Sequence, residues 1–272
     1  MISVEEKLIN LKNYFKEIGK IAIAFSGGVD STFLVKAAKD AIGADNVLAV
    51  TAASGLFPHH EKTEAEEFCR EEGIRQIVLE IDELQVEGFA ENPPNRCYIC
   101  KMALFSRMKE RALLEGFPVL AEGSNMDDLG DYRPGLLAVS ELGLASPLRI
   151  CGLTKQDIRD LSAQYGLATW DKPSFACLAS RFAYGETITA KKLEMVGKAE
   201  AFLFAKGFRQ GRIRIHGMMA RIEVMEKDFA RFLEPAHREE FDTYLKSLGF
   251  TYVSLDLRGY RTGSMNEALK NK

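Results

Sequence analysis

Residues 21–32 read IAIAFSGGVDST, and the rest of the chain is organised around them. An apolar, strand-like run, Ile21 to Phe25, stops at Ser26-Gly27-Gly28; from Asp30 a helical spacing begins, with Phe33, Leu34, Ala37 and Ala38 in phase. The stretch predicts a strand, a tight turn and a helix N-terminus. Such a turn suits an anion: glycines let the backbone approach closely, the first helical N–H groups have no intrahelical partner, and the macrodipole favours negative charge there. Ser26 and Ser31 add hydroxyl donors, and Asp30 can cap the helix or hold Mg²⁺. An ordinary strand-to-helix turn with an Asp cap is the plainer explanation; six residues fitting in the right context weigh against it. The lysine of a G-x-x-x-x-G-K-S/T loop, which reaches the β- and γ-phosphates, is missing.

Strands alternate with helices after this turn. Val47 to Val50 read as a second strand, the segment from Pro58 to Gly73 as a helix, Ile74 to Ile81 as a third strand and Val119 to Glu122 as another. That order implies an α/β fold with a parallel sheet covered on both faces, the doubly wound class. Ligands of such sheets sit beyond the carboxyl ends of the strands, so Thr51 to Ser54 and Gly123-Ser124-Asn125 are expected to line a nucleotide site with the turn. From Thr189 a long helix runs to Gly207, and strands at 212–216, 220–224 and 252–257 surround a helix from Pro235 to Leu248. This pattern predicts two domains: residues 1–185, doubly wound, and residues 186–272, a smaller α+β domain. At 272 residues the chain is long enough for both.

A net charge of −3 argues against a broad, sequence-independent grip on nucleic acid. The first nineteen residues form an amphipathic helix, with Ile2, Leu8, Leu11, Phe15 and Ile18 on one side, and lack the basic and apolar regions of a signal peptide. No run of about 18 apolar residues is present, so no membrane span is expected. These features predict a cytoplasmic protein, in which five cysteines are metal-binding, catalytic or core residues rather than disulfides.

Cys69 falls in the apolar phase of its helix with Phe68 and reads as core, and Cys151 as packing. Cys97 and Cys100 form a C-x-x-C pair at a helix start, where the dipole and the flanking Arg96 and Lys101 favour thiolates. The pair can ligate a metal, form a redox disulfide or be accidental, and no second C-x-x-C completes a zinc site. Cys177 stands among Ser174, Ala176, Ala179 and Ser180, with Lys172 and Arg181 on either side. Small neighbours leave room for a ligand and cations lower a thiol pKa, although a single cysteine among apolar residues is usually core. Arg212, Ile213, Arg214, Ile215 and His216 alternate, placing Arg212, Arg214 and His216 on one strand face. Two arginines there suit a phosphate or carboxylate; an exposed sheet face is the commoner reason for such alternation.

SGGVDS resembles the PP-loop of the ATP pyrophosphatases, which release pyrophosphate and leave AMP on the substrate. By that resemblance Ser26, Gly27, Gly28, Asp30 and Ser31 form the pyrophosphate cradle, with Thr51, Gly123 and Ser124 beside the nucleotide and Asp127, Asp131, Tyr132 and Arg133 shaping the substrate mouth. The strings PSFACLASRFAYGE, GSNMDDLGDYRPG, RIRIHG followed by ARIEV, and DLRGYRTGSMNE carry the likeness further, to the LarE family of ATP-dependent sulfur transferases, which help to build the nickel-pincer nucleotide cofactor of lactate racemase. The resemblance implies ATP and Mg²⁺, the latter on Asp30, and a pyridinium dicarboxylate mononucleotide whose carboxylates are adenylated and then become thiocarboxylates. It implies that Ser180, Arg181, Arg212, Arg214, Glu200 and Glu223 line the substrate site, Arg212 and Arg214 with Ser180 taking its phosphate at a subunit contact, and that the protein is a homo-oligomer, a hexamer. Cys177 aligns with the cysteine that surrenders its own sulfur in single-cysteine members. This chain also carries Cys97 and Cys100 and so is similar to a three-cysteine branch, in which Cys97, Cys100 and Cys177 hold a 4Fe–4S cluster whose open iron delivers hydrosulfide. Both sulfur routes stay open on sequence. So do three rivals: a tRNA-thiolating PP-loop enzyme, an ammonia-using synthetase of the NAD synthetase kind, and a nucleotide sensor without catalysis.

Overall fold

A computed structural model describes residues 2–54, 56, 59–130, 134–172, 177–208 and 210–270. Asp131, Tyr132 and Arg133, and the small residues Ser174 and Ala176 ahead of Cys177, lie outside these. The described residues fall into two compact units, one drawn from 1–54, 58–82 and 97–175, the other from 55–57, 83–96 and 176–272.

The first unit opens with α1 (Val4–Ile18), started by a capping box in which Ser3 and Glu6 each bond the other's backbone N–H and which leaves Leu11 and Phe15 buried. There follow β1 (Ile21–Ala24), α2 (Val29–Ile42), β2 (Val47–Ser54), α3 (His59–Glu71), β3 (Arg75–Ile81), α4 (Arg96–Leu114), β4 (Leu120–Ala121), α5 (Gly135–Glu141), α6 (Pro147–Ile150) and α7 (Lys155–Gln164). The strands form one parallel sheet in the order β3-β2-β1-β4, with Ile21 beside Val47 and Ile23 beside both Ala49 and Ala121.

Strand periodicity divides this unit's core in two. Ile21, Ile23, Val47 and Ala49 pack with Leu11, Phe15, Leu34, Ile158 and Leu161, whereas Ala22, Leu48 and Val50 pack with Phe105, Met108 and Ala112 of α4 and Val139 of α5. Apolar side chains on both faces draw helices to both, which is the doubly wound α/β fold that the sequence predicts. Two boundaries differ from expectation. Thr51 to Ser54 continue β2, paired with Val78 to Ile81, instead of leaving the sheet, and β4 is only two residues long.

The second unit holds α8 (Ala190–Ala205), β5 (Gly211–His216), β6 (Met219–Val224), α9 (Phe229–Phe232), α10 (Pro235–Ser247), β7 (Tyr252–Leu255) and α11 (Glu267–Lys270). β5 and β6 form an antiparallel hairpin about Gly217, whose φ of 62° suits glycine, and β7 adds in parallel beside β6. Phe208, Phe232 and Phe241 meet at centroid distances of 4.8 to 5.8 Å beneath α10. Residues 83–96 belong here as well: Asn92 donates to the carbonyl of Ala183 at 2.7 Å, and Ile188 N to that of Ala90 at 2.8 Å. Among the described residues no helix is long and apolar enough to cross a membrane.

Candidate active site

In the first unit the turn after β1 is built as the sequence suggests, with one correction. Gly27 takes φ +70°, and Gly28, not Asp30, is the N-cap of α2; its own amide donates to Ser26 Oγ at 3.4 Å, and no N-cap side chain bonds the amides that follow. Ser31 is buried; its hydroxyl donates to the carbonyl of Gly28 at 3.2 Å and lies 3.1 Å from that of Ser26, itself exposed. Asp30 sits inside the first helical turn, where its carboxylate accepts from Lys155 Nζ at 2.5 Å and Asn125 Nδ2 at 3.3 Å. The loop after β4 presses against this turn: a Cβ on Gly123 would meet the backbone nitrogen of Ser31 at 3.3 Å and Asp30 Cβ at 3.4 Å. That loop is fixed by Glu122, a buried carboxylate that accepts from Ser124 N, Ser124 Oγ (2.6 Å) and Ser146 Oγ (2.5 Å). Thr51 is buried midway along β2 of the same sheet, its hydroxyl accepting from Gln76. Open helix amides, hydroxyls and a glycine-lined approach form a cradle that fits a polyphosphate, and Asp30 is an oxygen ligand of the kind Mg²⁺ takes.

Cys97 and Cys100 occupy the first turn of α4, three residues apart and so on one side of it; Cys97 is exposed and Cys100 half-buried. The guanidinium of Arg96 donates to Asn92 Oδ1 and the carbonyl of Ala179, while Lys101 Nζ lies over the ring of Phe105. Burial raises the thiol pKa of Cys69 to about 12 and that of Cys151 to about 11, which keeps both protonated and agrees with packing roles. Within neither unit do the described residues gather three or more His, Cys, Asp or Glu in a metal-holding group.

In the second unit, Cys177 is half-buried and opens a short 3-10 turn, Leu178–Arg181. Arg181, fully buried, meets Glu200 of α8 through two parallel bonds of 2.7 and 2.8 Å and donates to Ser180 Oγ. Arg214 pairs with Glu223 across the hairpin at 2.9 Å and donates to the carbonyl of Ser180 at 3.2 Å. Glu223 also accepts from Arg221 and from Ser264 Oγ, and Glu200 accepts from Ile213 N. Arg212 is buried beside the ring of Tyr260; burial first, then Arg181, lowers its pKa. Burial and Arg221 likewise depress His216, leaving it neutral at pH 7. The alternation of β5 therefore marks a strand buried on both faces, since Arg212 and Arg214 are covered almost as fully as Ile213 and Ile215. Ser180, Arg181, Glu200, Arg212, Arg214 and Glu223 are brought together; Glu122 and Asn92 went unread, for nothing near them in sequence marks a buried carboxylate or amide.

The NAD synthase family matches residues 3–114. The chain is 37% identical over 269 residues to the pyridinium-3,5-bisthiocarboxylic acid mononucleotide synthase of Lactiplantibacillus plantarum, covering 99% of this chain and 97% of that protein. It is 40% identical over 266 residues to an uncharacterized protein of Synechocystis sp., covering 98% and 99% of the two chains. Its likeness to the argininosuccinate synthase of Haloarcula marismortui, 31% over 159 residues, spans 55% of this chain and 38% of that one. The partial likeness covers little more than half of this chain, whereas the end-to-end one takes in nearly all of it, and on that full-length match the chain belongs to the LarE family, the pyridinium-3,5-bisthiocarboxylic acid mononucleotide synthases.

Proposed function

We propose that this protein uses ATP to adenylate the carboxylates of pyridinium-3,5-biscarboxylic acid mononucleotide and replaces AMP with sulfur, giving thiocarboxylates for the nickel-pincer cofactor. The end-to-end likeness to the synthase of Lactiplantibacillus plantarum carries this reading. A carboxylate oxygen attacks the α-phosphorus and the bond to pyrophosphate breaks, converting a poor leaving group into AMP, a good one. The open amides of α2 with Ser26, Gly27, Gly28 and Ser31 take the pyrophosphate, Asp30 holds Mg²⁺, and Thr51, Gly123 and Ser124 border the nucleotide.

Arg212 and Arg214, with Ser180 and Arg181, bind the substrate phosphate, and Glu200 and Glu223 hold the guanidinium planes in place. What supports this is burial: a dianion restores the balance that burial and Arg181 disturb at Arg212. Sulfur is anchored through Cys177. With Cys97 and Cys100 it holds a 4Fe–4S cluster, which supplies an open iron able to carry hydrosulfide; the pairing of Cys97 and Cys100 on one helical turn supports that route. Without the cluster, the Cys177 thiolate attacks the acyl carbon, AMP leaves, and loss of the Cα proton with cleavage of Cβ–S yields the thiocarboxylate and dehydroalanine. The working form is a cytoplasmic homo-oligomer, a hexamer, whose residues 1–185 adenylate and whose residues 186–272, with Ser180 and Arg181, hold the substrate.

The test is anaerobic purification with iron and sulfide analysis, then turnover with ATP, Mg²⁺ and the mononucleotide, followed by intact mass. The expected result is pyrophosphate release, about four irons per chain and unchanged mass. Loss of one H₂S with no iron would sink the cluster route alone. Cys177→Ala should abolish thiolation and keep pyrophosphate release; a variant that still thiolates overturns the reading.

A further inference from the structure

The turn after β1 contains no lysine, yet two ammonium groups reach it from far along the chain. Lys155, the first residue of α7, places Nζ 2.5 Å from Asp30 Oδ2. Lys172 places Nζ 3.3 Å from the carbonyl of Gly27 and 2.7 Å from Glu64 Oε2. Both are held by their backbones. Asp127 accepts from the amide of Lys155 at 2.8 Å and donates its own to Asn125, the residue that also bonds Asp30. Arg159 donates to the carbonyls of Trp170 and Lys172 at 2.6 and 3.0 Å, fixing the segment that delivers the second ammonium.

Backbone amides and hydroxyls give partial charges, and a triphosphate brings several full ones. An ammonium on a flexible stem can exchange a carboxylate for a phosphate without moving its backbone. The present partners allow such exchange: the Glu64 side chain is 51% exposed, so its pair with Lys172 is weak, and Asp30 and Lys155 are 25% and 31% exposed. A carbonyl at 3.3 Å is likewise a partner that a phosphate oxygen outbids. We propose that Lys155 and Lys172 together supply the positive charge that the loop sequence lacks, binding the β- and γ-phosphates of ATP and then the departing pyrophosphate, while Asp30 and Glu64 keep the two ammonium groups at the turn. This rests on the ATP-dependent reading above.

Calorimetric titration of the full chain with ATP and with AMP, each with Mg²⁺, tests it. Lys155→Met and Lys172→Met should each weaken ATP binding about tenfold to a hundredfold, the worth of one charged hydrogen bond, and leave AMP binding unchanged, since AMP has no β- or γ-phosphate. Lys155→Arg and Lys172→Arg should recover part of the loss and serve where a methionine variant does not fold. ATP affinity equal to that of the original protein, or ATP and AMP weakened alike, overturns the proposal. If the original protein binds no ATP, the ATP-dependent reading fails first and this falls with it.

Discussion

Lys155 meets Asp30 with a quarter to a third of each side chain exposed, whereas Arg181 with Glu200 and Arg214 with Glu223 are 1, 5, 7 and 0% exposed. The pairing chemistry is the same and the consequence is opposite. Near water, attraction and hydration almost cancel, so an exposed pair adds little to stability and its members can change partners when a stronger charge arrives. In the interior the desolvation of both ions has already been suffered, and each holds the other against a bare charge. The turn after β1 is thus built for exchange, and the face of β5 for permanence. A ligand entering the second unit meets arginines whose carboxylates stay in place.

Removing a buried carboxylate breaks this contrast most strongly. Glu223 accepts from Arg214, Arg221 and Ser264, and Glu223→Ala should lower the free energy of unfolding by about 3–5 kcal/mol because the buried guanidinium of Arg214 loses its counter-charge, while Arg221 keeps Asp256. Asp30→Ala should shift it by less than about 1 kcal/mol. Urea unfolding of the two variants checks both; equal losses would mean that burial does not separate the regions.

Two glycines sharpen the same difference at smaller scale. A Cβ on Gly211 would stand 2.8 Å from the carbonyl oxygen of Glu223 and 2.7 Å from Leu203 Cδ2, and a paired strand cannot yield to it. Gly211→Ala should cost about 1–3 kcal/mol. At Gly123 the nearest atoms lie at 3.3 and 3.4 Å, so a shift of the loop accommodates a methyl group. Gly123→Ala should therefore leave unfolding almost unchanged and weaken ATP binding, since the loop is pushed off the first turn of α2. A stability loss at Gly123 matching that at Gly211 would show the loop to be as rigid as the hairpin.

What the sequence made legible follows from range. The strand, turn and helix at 21–42 are local, as is the alternation of β5, and both are readable from one window. The covering of β5 is not: Ile213 N finds Glu200 on a helix and Arg214 finds Glu223 across the hairpin, and a period of two looks the same whether the second face meets water or protein. Asp30 reads as a cap because Asp favours that role, but the strand ends early enough for Gly28 to take it. No lysine stands inside the loop, and the ammonium groups come from 125 and 145 residues away. Glu122 is invisible for the same reason, with Ser146 arriving from α6's leading edge.

One further pair lies between the extremes. Lys7 of α1 bonds Asp157 of α7 at 2.7 Å with side chains 18% and 14% exposed, more covered than Lys155 and less than Arg181. Burial alone would raise the carboxyl pKa of Asp157; Lys7 and the hydrogen bonds from Thr154 outweigh it and hold the group below the usual carboxylate range. Because the folded value is the lower one, the unfolded chain binds the proton first. The stabilisation is complete above the ordinary carboxylate pKa, near 4, and disappears as pH falls through the lowered value. Lys7→Met should cost roughly 0.5–1 kcal/mol at neutral pH, and the gap from the original protein should close on acidification. Urea midpoints of both proteins from about pH 7 down to about pH 3 measure it. A gap that persists unchanged through that range would assign the loss to the packing of the lysine stem, and the gradation from exchangeable to permanent pairs would then lack its middle term.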